Sequence, residues 1–249
     1  MKIDIFENSE AMGKAAGTTA ADLLRSAIAQ KGTANIILAT GTSQFEVLNQ
    51  LLAETDIDWT KVTMFHLDEY IGLPDSHPAS FRKYLKERFI EKVTFKAYHL
   101  INAESNPEAE CERLGKLISA YPIDVALVGI GENGHLAFND PPADFDTEAP
   151  YIIVNLDEPC RRQQLGEGWF PSLEAVPTQA ISMSIRQIMK SANIICSVPD
   201  ERKAQAVKNC LEQEVSNLYP ASILQQHPHC SVFLDAFSSK YLEKDFLNL

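Results

Sequence analysis

The chain has 249 residues, 45% hydrophobic and 22% charged, with a formal net charge of −12. That length and balance suit a folded protein with a sizeable core. The negative charge argues against a nucleic-acid surface, which needs clustered Lys and Arg, but not against a small anionic ligand in a locally positive pocket.

The opening "MKIDIFENSE" reads as a strand start and carries acidic residues where a secretory leader would have an apolar core. No apolar run reaches the ~20 residues of a membrane span. The five cysteines, Cys111, Cys160, Cys196, Cys210 and Cys230, include no C-x-x-C pair, which favours reduced thiols over disulfides or zinc. A soluble cytoplasmic protein is expected.

"ANIILAT" (34–40) predicts a buried strand, followed by an amphipathic helix over 43–54. "KVTMFHL" (61–67) predicts a second strand and 79–90 a second helix. A shorter strand follows over 94–100, then a helix over 108–120. "IDVALVGI" (123–130) is apolar almost throughout and reads as a central strand. Further strands are expected at 151–156, 180–184, 192–198 and 230–235, with a helix over 201–215. The Pro-rich segment 139–150 and the segment 165–177 read as long loops. Near-continuous apolar strands separated by helices imply a doubly wound α/β fold, a mostly parallel sheet with helices on both faces. No linker or repeat divides the chain, so residues 1–249 are expected to form a single domain.

Ligands of such sheets bind beyond the carboxyl ends of the strands. After the first central strand stand Thr40, Gly41, Thr42 and Ser43. Glycine and hydroxyls at a strand-to-helix junction can wrap an anion, and equally form a turn with a Ser or Thr cap. No G-K-[ST] follows, so this is not a Walker loop. After the second strand come Asp68 and Glu69, whose side chains should diverge, one inward and one outward. His66 lies within the strand pattern and reads as structural. After the third comes "GIGENGHLAFND", where Gly129, Gly131 and Gly134 permit a close backbone approach. Histidine is the side chain that ordinarily titrates near neutrality, and His135 has Asn133 and Asp140 nearby to orient it. G-x-S-x-G and H-E-x-x-H are absent, and no metal is expected. What remains is proton-transfer chemistry on a small phosphorylated or carboxylated substrate.

"FHLDEYIGLPDSHPASFRKYL" together with "GIGENGHLAFNDP" resembles the glucosamine-6-phosphate deaminase family, with "TGTS" where its phosphate loop should be. The likeness runs from about residue 36 to "SILQQHP". It implies a Rossmann-like α/β fold without metal or organic cofactor. The partner is a small phosphorylated amino sugar, with neither nucleic acid nor membrane involved. The implied reaction converts glucosamine 6-phosphate and water to fructose 6-phosphate and ammonia.

By this resemblance Asp68 moves a proton from carbon 2 to carbon 1, while His135, poised by Asn133 and Asp140, opens the sugar ring. Thr40, Gly41, Thr42, Ser43 and Lys203 line the phosphate, and Glu69 joins the substrate-binding set. A phosphate-directed arginine is expected from the middle loop, where Arg161 and Arg162 are the candidates, although "CRRQQLGEGWF" departs from the family pattern. Two further departures are Asn133, where many relatives carry Asp, and Asp140, where most carry Glu. Two rivals are a 6-phosphogluconolactonase-type hydrolase and a sugar-phosphate sensor of a transcription regulator. The former typically has an Arg soon after its Asp-Glu pair, where Tyr70 stands here. The latter carries a helix-turn-helix, which is not seen. A homo-oligomer is compatible with the sequence, and a non-allosteric enzyme is expected.

Overall fold

A computed structural model describes residues 1–243. Strand β1 (Lys2–Phe6) leads into α1 (Ser9–Lys31), then β2 (Ala34–Leu38), α2 (Phe45–Ala53), β3 (Val62–His66) and β4 (Asp68–Tyr70). The chain continues through α3 (Phe81–Arg88), β5 (Ala97–His99), α4 (Pro107–Ile118) and β6 (Val125–Val128). Then come β7 (Tyr151–Asn155), α5 (Glu158–Gly166), β8 (Gln179–Met183) and α6 (Ile185–Met189). The last elements are β9 (Asn193–Val198), α7 (Ala204–Glu212) and β10 (Cys230–Asp235).

Seven strands form a parallel sheet in the order β1-β10-β9-β6-β2-β3-β5. From β2 the chain winds one way through β3 and β5, then crosses to β6 and winds the other way through β9 and β10. Alternate side chains enter opposite cores: Ile37, Ala126 and Val128 face one, and Ile36, Leu38, Val125 and Leu127 the other. Burial on both faces is why these strands read as unbroken apolar runs. The order reverses between β2 and β6, and a crevice opens there beyond the strand ends.

Three features depart from the expectations. Helix α1 escaped the sequence reading because its buried face is built from small residues, Gly13, Ala16, Gly17, Ala20 and Ala21, rather than a bulky stripe. Those residues let α2 approach closely. A Cβ on Gly13 would stand 2.2 Å from the Cβ of Glu46.

Second, β4, β8 and β7 form a separate antiparallel sheet, so the segments at 151–156 and 180–184 do not extend the parallel one. The branch point is Leu67, which donates its N–H to Leu38 in the main sheet and accepts from Met183 of β8. Beyond it the chain peels away into β4.

Third, residues 158–166, including Arg161 and Arg162, form a helix and not a loop. Asp157 caps it and Pro159 sits in its first turn, a start signal present in "DEP".

Glu69 is a correction of role. Its buried carboxylate accepts from the N–H groups of Tyr70, Phe81 and Arg82 and from the Ser80 hydroxyl, at 2.8–3.2 Å. It secures the start of α3 and points away from the crevice. Glu69→Ala is therefore expected to lower stability by about 3–5 kcal/mol, the usual range for breaking a buried charge network, as measured by urea unfolding.

Candidate active site

Thr40, Gly41, Thr42, Ser43, Asp68, Gly129, Gly131, His135, Gln163, Gln164, Glu167 and Lys203 line one crevice at the β2/β6 switch point. Gly41 adopts φ 87°, which glycine accepts without strain, and a single 3-10 turn over Thr42–Gln44 leads into α2. No Ser or Thr side chain caps either helix start. The chain thus does not spend the Thr42 and Ser43 hydroxyls on a cap. Lys203, in the turn after β9, is buried with its Nζ 3.9 Å from Glu132 Oε1. Burial lowers its pKa against the pull of Glu132 and Glu167.

Across the crevice, Asp68 is 6% exposed. Burial, reinforced by the neighbouring Glu69, lifts its pKa to about 8. Behind it His66 is fully buried and its pKa is depressed to about 3 by burial and by Arg82. A histidine held neutral in the core is structural.

The loop after β6 assembles the other titratable group. His135 Nδ1 stands 3.1 Å from Asp140 Oδ1, although it makes no aligned hydrogen bond there. The ring lies so close to Gly131 that a Cβ would fall 2.2 Å from its Nε2. Only glycine permits that stacking. Asn133 accepts from the His135 N–H at 3.1 Å and donates to Asp140 Oδ1 at 3.1 Å.

The same amide reaches both carboxylate oxygens of Asp157, at 3.3 and 3.2 Å. Asp157 in turn donates its own N–H to Asp140 Oδ2 at 2.9 Å. Burial alone would raise the Asp140 pKa, but His135, the Asp157 N–H and the Asn133 amide outweigh it and hold it below the usual range. Asn133 is thus an amide bridging two carboxylates, a task an Asp could not perform. We expect Asn133→Asp to cut kcat at pH 7 by about one to two orders of magnitude by crowding three carboxylates. A pH–rate profile checks this, with the deficit shrinking as acid supplies the missing proton.

The two arginine candidates lie elsewhere. Arg161 donates to the carbonyls of Leu173 (2.6 Å) and Val176 (3.1 Å), tying down the following loop. Arg162 pairs with Glu158 on the surface. The face of α5 that does enter the crevice carries Gln163 and Gln164, with Glu167 at its C-cap, none of them foreseen. Gln163 accepts from the Glu132 N–H at 2.8 Å, and Gln164 from the Tyr70 hydroxyl at 2.7 Å. Their spacing, two adjacent residues and one a turn later, is a helical face, hidden by reading the segment as a loop.

A doubly wound sheet with its polar groups gathered at the switch point defines the class of α/β enzymes that act on small ligands. The chain belongs to the glucosamine-6-phosphate isomerase/6-phosphogluconolactonase family, whose model matches residues 7–232. It is 35% identical over 245 residues to glucosamine-6-phosphate deaminases of Streptococcus pneumoniae strains Hungary19A-6 and D39, covering 98% of this chain and 100% of each relative. A solved structure described as a monomeric glucosamine-6-phosphate deaminase superposes with TM-score 0.87 at 30% identity, covering 96% of this chain and 99% of that one. The 6-phosphogluconolactonase of Trypanosoma brucei, at 16% identity and TM-score 0.80 over 97% and 98% of the two chains, shares the fold. Among the described residues no helix is long and apolar enough to cross a membrane.

Proposed function

We propose that this enzyme converts glucosamine 6-phosphate and water to fructose 6-phosphate and ammonia. The observation carrying this reading is that Asp68 and His135 face one crevice with the Thr40–Ser43 turn and Lys203. The turn and the ammonium hold the phosphate. His135, steadied by Asp140, takes the proton of the anomeric hydroxyl and delivers it to the ring oxygen as the bond between carbon 1 and that oxygen breaks. Asp68 takes the carbon-2 proton and returns it to carbon 1. With O1 gaining the proton that the ammonium gives up, the product is a carbon-2 iminium, which adds water and releases ammonia.

Free Asp68 holds its proton up to about pH 8. The substrate's ammonium, bonded to the carbon that Asp68 must attack, draws that pKa down on binding. The carboxylate is thereby ionised where it is needed. The substrate class, the amino sugar phosphate, follows from this pairing and from the relatives. All five cysteines are free thiols, which fits a reducing cytoplasm.

Lys203→Ala tests the phosphate end. Losing a charge-assisted contact worth about 1.5–3 kcal/mol should raise KM by about 10- to 150-fold with a smaller effect on kcat. Equal KM values, with inorganic phosphate inhibiting both proteins alike, would remove Lys203 from the site.

A further inference from the structure

The fold brings a third side chain to the His135–Asp140 pair. Cys160, in the first turn of α5, is 1% exposed. Its Sγ, a ring nitrogen of His135 and a carboxylate oxygen of Asp140 all lie within 4.8 Å of one another. His135 Nδ1 is buried without an aligned partner, although Asp140 Oδ1 is only 3.1 Å away. No spacing in the sequence announces this cluster, because Cys160 arrives on a different element from the loop holding the other two.

We propose that Cys160, His135 and Asp140 form a zinc site whose occupation switches the enzyme off.

The donor set is one that zinc prefers: thiolate sulfur, imidazole nitrogen and carboxylate oxygen. Magnesium and calcium require oxygen ligands and do not suit it. Zinc bonds of about 2.0–2.3 Å at tetrahedral angles place donors roughly 3.3–3.7 Å apart, close to the separation already present between His135 and Asp140. A thiolate and a carboxylate also cancel the charge of the ion, so burial leaves no net charge to solvate.

The outer partners are in place as well. Asp140 Oδ2 accepts the Asp157 N–H at 2.9 Å, and Oδ1, which accepts the Asn133 amide at 3.1 Å, keeps a second lone pair on the side of His135 Nδ1 for the metal. Asn133 holds the His135 backbone, and Gly131 backs its ring. Such supports orient ligands before the ion arrives.

On binding, the Cys160 thiol releases its proton to solvent and the sulfur–zinc bond forms. His135 binds through Nδ1 as neutral imidazole with its proton on Nε2, and water takes the fourth position. No electron is transferred. Nδ1 then faces zinc instead of Asp140, so the imidazole can no longer gain and lose its proton. The inhibition rests on His135 and Asp140 being the proton-transfer pair proposed above, whereas metal binding does not.

Cobalt(II) is the spectroscopic probe. One equivalent added to the metal-free protein should give tetrahedral cobalt absorption with a thiolate-to-cobalt charge-transfer band, bleached by zinc. Cys160→Ala should lose the band, keep the metal-free deamination rate, and require about 100-fold more zinc for half-inhibition. Cys160→Ser, nearly isosteric, gives the same test should the alanine variant fail to fold. Cobalt bound without the thiolate band, or the band and zinc sensitivity unchanged in these variants, would overturn the site. Should the protein deaminate nothing, the cobalt band still decides whether the site exists.

Discussion

Asp68→Asn should reduce carbon-2 hydrogen exchange and ammonia release by about three to four orders of magnitude, with substrate binding nearly intact. The amide preserves size and hydrogen bonding but cannot accept the proton. The wild-type pH dependence follows from the raised pKa. In the free enzyme the working base appears only as Asp68 ionises, so kcat/KM should rise with pH through about 8.

The same shift makes a stability prediction. Between the ordinary aspartate value of 3.8 and about 8, the folded protein holds a proton that the unfolded chain has released. Stability contributed by this proton is complete below that window and lost as pH climbs through it. The stability advantage of Asp68→Asn should therefore grow across the window and be full above it, read as a widening gap in Tm. A more stable, inactive variant is the expected signature of a carboxylate kept in an apolar wall for chemistry. A Tm gap of constant size would contradict the buried, proton-holding state of Asp68.

His135→Gln should strike a different step. Ring opening loses its proton acceptor, lowering kcat by about two to four orders of magnitude. An open-chain analogue such as the corresponding amino-sugar alcohol phosphate should bind as it does to wild type, because it asks nothing of His135. Calorimetric titration of the two proteins with that analogue separates the roles. Equal loss of analogue affinity would make His135 a binding residue instead.

The main sheet was legible because β2, β3, β6, β9 and β10 are buried on both faces, which leaves an apolar run at each. The candidate proton-transfer groups were legible for a related reason: strand ends at a switch point converge, so Asp68 and His135 could be compared before any contact was known. Alternation showed that Asp68 and Glu69 must diverge, but not which one entered the crevice. That depends on Leu67, where β3 hands the chain to the antiparallel sheet. Helix α1 was hidden by its alanine and glycine face. Asp157 and Cys160 were hidden because they reach the site through the packing of α5, which no local pattern encodes. Arg161 carries the right charge in the right segment, yet its helix phase turns it onto the carbonyls of Leu173 and Val176.

The most direct test incubates the purified protein with glucosamine 6-phosphate in deuterated water, and separately with the δ-lactone of 6-phosphogluconate. Ammonia and fructose 6-phosphate should appear in equal amounts, with deuterium at carbon 1 in the fraction of turnovers where the Asp68 carboxyl exchanges with solvent before returning its proton, and the Asp68→Asn protein should form both products about three to four orders of magnitude more slowly. Lactone hydrolysis without ammonia release, or undiminished ammonia release by Asp68→Asn, would contradict the deaminase reading and the role of Asp68 within it.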